Sequence, residues 1–292
     1  MKSVAYKPTD LIINPNGSVY HLHLKPGQVA PVVILVGDPA RVGVISRHFD
    51  RMESRIQNRE MLSHTGYLGK KRITVLSTGM GTDNIDIVVH ELDALVNIDF
   101  RTWTRKKEHV SLSIIRIGTS GAIQPDVPLN AFVVSEYAIG IDGLLNYYQH
   151  TTGLEEDLAR SFREYTGWPE KLPMPYAAKG SAYLISRLGQ GLLMGITLTA
   201  QGFYGPQGRS IRIPLAHPDL NDRIAAFSFN GRKITNYEME TAALYGLCTL
   251  LGHEALTICV AIANRATNQF DPEYPTKVRE LVDLFIGRLR DL

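Results

Sequence analysis

Cysteine is scarce in this chain: two in 292 residues, Cys248 and Cys259. Each sits in an apolar stretch, where a thiol packs as a small hydrophobe. So low a count excludes a disulfide scaffold and fits a reducing compartment. Charge of one sign is lacking too. Lysine and arginine number 31 against 29 acidic residues, a net charge of +2. No strong field therefore draws the chain to nucleic acid or to an anionic membrane, and neither partner is expected. The local cluster Arg101, Arg105, Lys106 and Lys107 reads as a solvated loop or helix end. Long apolar runs are absent: Val32 to Val36 and Leu256 to Ala263 are far too short to span a bilayer. Met1 to Ile12 has no apolar targeting core. A cytoplasmic protein is expected.

Several familiar chemistries are missing as well. No G-x-x-x-x-G-K-[ST] loop occurs, so P-loop nucleotide hydrolysis is unsupported. Gly79-Met80-Gly81 lacks the third glycine of a dinucleotide fingerprint, and Gly118-Thr119-Ser120-Gly121 is not a G-x-S-x-G nucleophile elbow. The histidines form no metal-ligand set. His21 and His23 have the spacing of one strand face, which suits a surface or binding role better than a metal.

What is present is an alternation of strands and helices. Residues 1–30 read as an irregular N-terminal arm, with a turn at Pro15-Asn16-Gly17. Pro31 to Val36 is a continuous apolar run of the kind buried on both faces. Gly37-Asp38-Pro39 turns the chain into a helix carrying Arg41. Arg72 to Thr78, Ser111 to Ile117, Ala131 to Ala138, Ile196 to Ala200 and Ala255 to Ala263 read as further strands. Helical spacing marks the segment from Asp83 to Val96, and also 238–251 and 276–289. This predicts an α/β chain with one domain over residues 31–292, a central mixed β-sheet flanked by helices in a three-layer sandwich. Binding residues then gather at the carboxyl ends of the strands.

Three motifs fall at such places. Arg41 follows Gly37-Asp38-Pro39-Ala40, and Arg116 precedes Gly118-Thr119 at what reads as a strand end. Guanidinium forks bind phosphate, and glycine admits backbone N–H groups to the same anion. Taken singly, each arginine is better explained by a surface carboxylate. The second motif is the loop Gln201 to Arg209. Phe203 offers a face for a flat base, and Gln207 and Arg209 offer the donors and acceptor that match a uracil edge. A glycine-rich surface loop anchored by a buried Phe explains the same composition. The third is Asn236-Tyr237-Glu238-Met239-Glu240, read as a helix start. It holds a ribose through a carboxylate and a thioether, or it merely caps the helix.

In this order, the three motifs resemble those of the uridine phosphorylases within the nucleoside phosphorylase superfamily, from about His21 to the last helix. The most specific pieces are Phe203-Tyr204-x-x-Gln207-x-Arg209 and Arg116-Ile117-Gly118-Thr119-Ser120-Gly121-Ala122-Ile123-Gln124. The resemblance implies phosphorolysis of uridine to uracil and ribose 1-phosphate, a reaction of pyrimidine nucleoside salvage and catabolism. It assigns phosphate binding to Gly37, Arg41, Arg59, Arg116 and Thr119. Ribose falls to His21, Thr119, Met239 and Glu240, and uracil to Phe203, Gln207, Arg209 and Arg265. Arg116, Gln207, Arg209 and Glu240 carry the catalysis. Arg59 and His21 match positions that reach into a neighbouring subunit, which implies a dimer or a trimer of dimers, a homohexamer, with shared sites. Phosphate is a co-substrate and no redox cofactor or catalytic metal is implied.

The family can carry a structural monovalent cation near a glutamate like Glu60, where this chain has Asn84 in place of a small hydroxyl residue. A second departure is Ser210-Ile211-Arg212-Ile213-Pro214, which reshapes the rim of the base pocket. Purine nucleoside phosphorylases and nucleosidases share the fold but place an Asp after the sixth strand. Here the stretch Ala261 to Thr267 holds no acid. A catalytically silent nucleoside-binding protein is the alternative from another class.

Overall fold

The structure is a computed structural model that describes residues 5–149 and 153–290. Residues 1–4 of the expected arm lie outside it. The chain opens with an isolated bridge between Ile13 and Val19, then enters β1 (Val32–Val36) and α1 (Ala40–Ser46). The hairpin β2 (Arg51–Asn58) and β3 (Met61–Leu68) leads to β4 (Lys71–Ser77) and α2 (Thr82–Asn97). A small pair, β5 (Ile98–Asp99) and β6 (Thr104–Arg105), precedes β7 (Ser113–Ala122) and β8 (Phe132–Gly140). Next come α3 (Glu156–Thr166), β9 (Tyr176–Lys179), α4 (Ala182–Leu188) and β10 (Leu193–Thr199). The chain then runs through α5 (Leu220–Ala226), β11 (Ser228–Phe229), β12 (Arg232–Glu238) and α6 (Thr241–Leu251). It ends with β13 (Glu254–Asn264), β14 (Gln269–Phe270) and α7 (Tyr274–Arg290).

The central sheet is mixed and runs β11-β12-β10-β8-β13-β7-β1-β4-β3-β2. Its centre is β1, parallel to both β4 and β7. Valine, isoleucine and leucine fill β1 because a strand covered on both faces has no polar side to present. Helices α1, α4 and α7 pack one face through Val42, Ile45, Leu184, Leu188 and Phe285. On the other face α2 and α6 pack through Ile85, Val88, Leu92, Ala243 and Leu247. This is the expected three-layer α/β arrangement. The core also takes in Val19, Leu22, Leu24 and Val29, so the later part of the irregular arm is packed rather than loose.

Sequence patterning did not foretell the closure of one end. β12 pairs with β10 and also, antiparallel, with β7, so β7, β13, β8, β10 and β12 form a ring. The long strands β7 and β13 supply the curvature, and β13 carries a register shift between Ala261 and Ala263. A separate apolar cluster, with Leu158, Phe162, Ile196, Ile224 and Ile234, fills the space under α3 and α5.

Two element boundaries differ from expectation. β7 does not stop at Ile117 but runs through Ala122, held by β13 with Cys259 opposite Gly118 and Val260 opposite Thr119. Gly118 serves close packing, not a turn. Likewise Asn236 to Glu238 belongs to β12, where its ladder to β10 and β7 outweighs helical spacing, and α6 starts only at Thr241. Nor do His21 and His23 share a strand face: both lie in irregular chain, and His23 has φ 54°. No helix among the described residues is long and apolar enough to cross a membrane. In the basic cluster, Arg101 pairs with Asp99, Arg105 donates to Tyr6 and Lys106 to the Val96 carbonyl.

Candidate active site

The turn after β1 begins the site. Gly37 is tight against the next glycine turn, since a Cβ on it would lie 3.4 Å from the Gly79 carbonyl oxygen. Arg41, in the first turn of α1, makes no side-chain hydrogen bond or ion pair among the described residues. Burial, and then the charge of Arg116, hold its guanidinium below the ordinary range. Two cations coupled in this way favour an anion between them. Thr119, half-buried one strand over, has a hydroxyl with no partner among the described residues.

Arg116 is not at a strand end. It lies within β7, opposite Leu35 of β1 and Thr257 of β13. Its guanidinium is ion-paired with Glu240 and stands 3.6 Å from Glu238 Oε2 and 3.7 Å from Cys259 Sγ. Burial alone would lower its pKa, but the carboxylates of Glu240 and Glu238 more than offset that and raise it. Burial pushes the Glu240 carboxyl up; Arg116 opposes this and Glu238 adds to it.

The two glutamates divide the roles that sequence left open. Glu238 is the cap: its carboxylate accepts from the N–H groups of Glu240 and Thr241 at 2.9–3.0 Å and from the Thr199 hydroxyl at 2.5 Å. With the first turn of α6 so satisfied, Glu240 is free to face Arg116. Its other oxygen accepts the Gly81 N–H at 2.8 Å, from a turn where Gly81 has φ 98°. Met239 lies between them, half-buried, where strand passes into helix.

The loop after β10 forms the other end. Gln207 is buried, in a short turn of 3-10 helix over Gly205–Gln207. Arg209 Nη1 donates to Gln207 Oε1 and to the Phe203 carbonyl, each at 2.6 Å. The same guanidinium lies 3.9 Å from the Phe203 ring centre. Arg265 Nη1 donates to the Gln207 carbonyl at 2.5 Å. Burial, then the charge of Arg265, lower Arg209, and burial lowers Arg265. Unlike Arg116, neither Arg209 nor Arg265 pairs with a carboxylate among the described residues. A Cβ on Gly121 would lie 3.8 Å from Arg209 Nη2, just as one on Gly118 would lie against Arg116. Both groups thus lie against β7, three residues or about 10 Å apart along it.

His21 and Arg59 stand apart from this group. His21 Nδ1 contacts Glu91 Oε1 at 2.7 Å, and Glu91 also accepts the backbone N–H groups of His21 and Leu22. Arg59 is exposed at the β2–β3 tip, with φ 53° and its guanidinium 5.9 Å from the Tyr20 ring centre. Asn58 donates to the His21 carbonyl at 2.8 Å. So the two residues are neighbours on a second face. Glu60 and Asn84 flank Gly79: a Cβ there would meet Asn84 Nδ2 at 2.5 Å and Glu60 Cγ at 3.2 Å.

Asp93, His109 and His253 gather their ligand atoms within 4.8 Å, a cluster no sequence spacing revealed. His253 Nδ1 accepts the Leu112 N–H at 3.1 Å, which leaves the ring proton on Nε2, facing Asp93 Oδ1 at 3.2 Å. A metal needs that lone pair and a donor at Nδ1. The cluster does not fit one.

Two groups of arginines thus lie against one strand, Arg116 at Gly118 and Arg209 at Gly121 of β7. The chain belongs to the phosphorylase superfamily, whose family model matches residues 31–287. Among curated relatives, a uridine phosphorylase of Thermococcus kodakarensis is 33% identical over 87% of this chain and 80% of its own. A purine nucleoside phosphorylase of the DeoD type from Streptococcus suis is 27% identical over 92% of this chain and 95% of its own. A solved Trypanosoma brucei nucleoside phosphorylase, described as showing uridine phosphorylase activity, superposes with a TM-score of 0.85. It has 29% identity and covers 97% of this chain and 100% of the other.

Proposed function

We propose that this chain cleaves uridine with inorganic phosphate, giving uracil and ribose 1-phosphate. The observation that carries this reading is the hydrogen-bonded Gln207–Arg209 pair, with the Arg209 guanidinium over the Phe203 ring and beside Gly121 of β7, the strand that carries Arg116. Phosphate sits on Gly37, Arg41, Arg116 and Thr119 beneath C1′. As the glycosidic bond stretches, the sugar gains cationic character that the phosphate stabilises before it attacks. Met239 and Glu240 hold the sugar. Charge flowing into the ring collects on the uracil oxygens, where Gln207 Nε2 and Arg209 donate to it, a preorganised electrostatic effect.

A pyrimidine is favoured over a purine by Asn264. Its Nδ2 donates to the Gln124 and Val127 carbonyls, and its Oδ1 accepts from Ala266 and Thr267. Fully occupied and neutral, it has no proton for a purine ring. His21 and Arg59, adjacent but away from the pocket, support a site completed by a second subunit, in a dimer or a hexamer built from dimers. A cytoplasmic setting accords with two free, buried thiols. Residues 31–292 form the catalytic unit in this reading, with 1–30 as an arm.

Uridine, deoxyuridine, thymidine, inosine and adenosine should be assayed with and without phosphate. Phosphate-dependent release of uracil is expected. Cleavage of uridine without phosphate indicates a nucleosidase instead, preference for inosine overturns the base assignment, and binding without turnover indicates a sensor.

A further inference from the structure

Asn221, in the first turn of α5, ties the two ends of the pocket together. Its Oδ1 accepts the Tyr237 hydroxyl at 2.8 Å, and its Nδ2 donates to the Gln207 carbonyl at 3.0 Å. Tyr237 is buried on β12, next to Glu238, and is paired in the sheet with Gly121 of β7. One side-chain amide thus bridges the strand that delivers Glu238, Met239 and Glu240 to the loop that carries Phe203, Gln207 and Arg209. Because its acceptor and its donor are both engaged, from different elements, the amide plane is fixed.

The loop is shaped to receive it. Gly208 has φ +68°, and a Cβ there would fall 1.7 Å from Asn221 Nδ2. Only a residue without a side chain admits the amide so close. Arg265 donates to the same Gln207 carbonyl, so both its lone pairs are used. On its other side Asn221 borders a largely apolar cavity of about 590 Å³. Truncating the side chain enlarges a space that already exists, so the core loses little.

We infer that Asn221 is a positioning residue that sets Gln207 and Arg209 in register with the sugar-holding end of β12. The inference rests on the reading of the 203–209 loop as the base-binding segment. Asn221 touches no reacting atom. It acts through the loop backbone, and a displacement of the order of 1 Å there weakens the grip on the leaving base as its charge develops.

The test is a double-mutant cycle in the full chain, with Asn221→Ala, Arg209→Ala and the pair. Asn221→Ala is expected to raise the KM for uridine and lower kcat, with kcat/KM down roughly ten- to a hundredfold. The KM for phosphate stays within about twofold. Because Asn221 acts through the loop, the double variant loses less than the product of the two single losses, the remainder being the displacement of Gln207. Tyr237→Phe, which removes only the hydroxyl that orients the amide, gives the same pattern more weakly. Additive losses in the cycle overturn the inference. So does a fall in kcat with both KM values unchanged, the mark of a smaller folded fraction. A wild-type protein that cleaves no uridine overturns the base-loop reading, and the positioning role falls with it. An active wild type with an additive cycle overturns the positioning role alone.

Discussion

The Arg116 guanidinium lies over Gly118, so closely that a Cβ built on that glycine falls 2.0 Å from Nη1 and 2.9 Å from Cys259 Sγ. The backbone of β7 is thereby the floor on which the Arg116 guanidinium rests. Any side chain at 118 must move it.

Gly118→Ala is therefore expected to expel the guanidinium from its place between Glu238 and Glu240. Overpacking of this kind costs about 1–3 kcal/mol in stability. The KM for phosphate should rise at least roughly tenfold, because a misplaced fork no longer matches the anion. Steady-state kinetics with phosphate varied at saturating uridine measure this; an unchanged KM would count against Arg116 as a phosphate ligand.

Arg116 and Glu240 are both buried, and removing one partner strands the other. Glu240→Ala should lower stability by about 3 kcal/mol, read from urea denaturation. Activity should fall with it through the lost sugar contact. A variant as stable as the wild type would show that Glu238 alone suffices to balance the arginine.

Arg209→Ala tests the base site. Loss of one preorganised donor costs about 3 kcal/mol in the transition state, roughly a hundredfold in rate. Uridine turnover should fall by that factor while phosphate affinity, measured by calorimetry, holds. Equal losses in both would undermine the division of the pocket into two ends.

Arg59 and His21 give a test by subunit mixing. Arg59→Ala and Arg116→Ala proteins should each be nearly inactive, yet regain part of the activity after exchange of subunits. In a mixed dimer one of the two sites keeps both arginines. If mixtures stay inactive while mass analysis shows exchange, the site is not shared.

Burial pushes the Cys259 thiol up from 9.0 to about 12. The folded chain then keeps a proton that the unfolded chain gives up above pH 9. Stability should fall as pH rises from 9 toward 12, and Cys259→Ala should flatten that slope. Buried Cys248 is pushed up as well and keeps a share of it. A wild-type stability that rises over this window would contradict the burial of both thiols.

Legibility in the sequence followed how local each signal was. Val32 to Val36 announced a buried central strand because five apolar residues in a row leave a strand no polar face. The loop of Phe203, Gln207 and Arg209 was legible because its chemistry lies within seven residues. Asn236 to Glu238 misled, since Glu238 and Glu240 before an apolar helix look like its first turn. The strand pairing that claims them comes from β10 and β7, far away in the chain. Cys259 was legible as a buried small hydrophobe but not as a neighbour of Arg116, and Asn221 carried no signal, as an amide or a thiol acquires its contacts only from what folds against it.

The sequence by itself determined the α/β class, the order of the central elements and the identity of the guanidinium, amide and aromatic groups available to a ligand. Periodicity and short motifs encode these, and both are properties of adjacent residues. Only the tertiary structure decided that the sheet closes through β12 and β7, that Glu238 caps while Glu240 faces Arg116, and that Arg116 and Arg209 share one strand as a floor. Those outcomes depend on contacts between segments distant in the chain, Arg116 with Glu240 and β12 with β7 among them, where packing and the pairing of buried charge select one geometry among many that the local pattern allows.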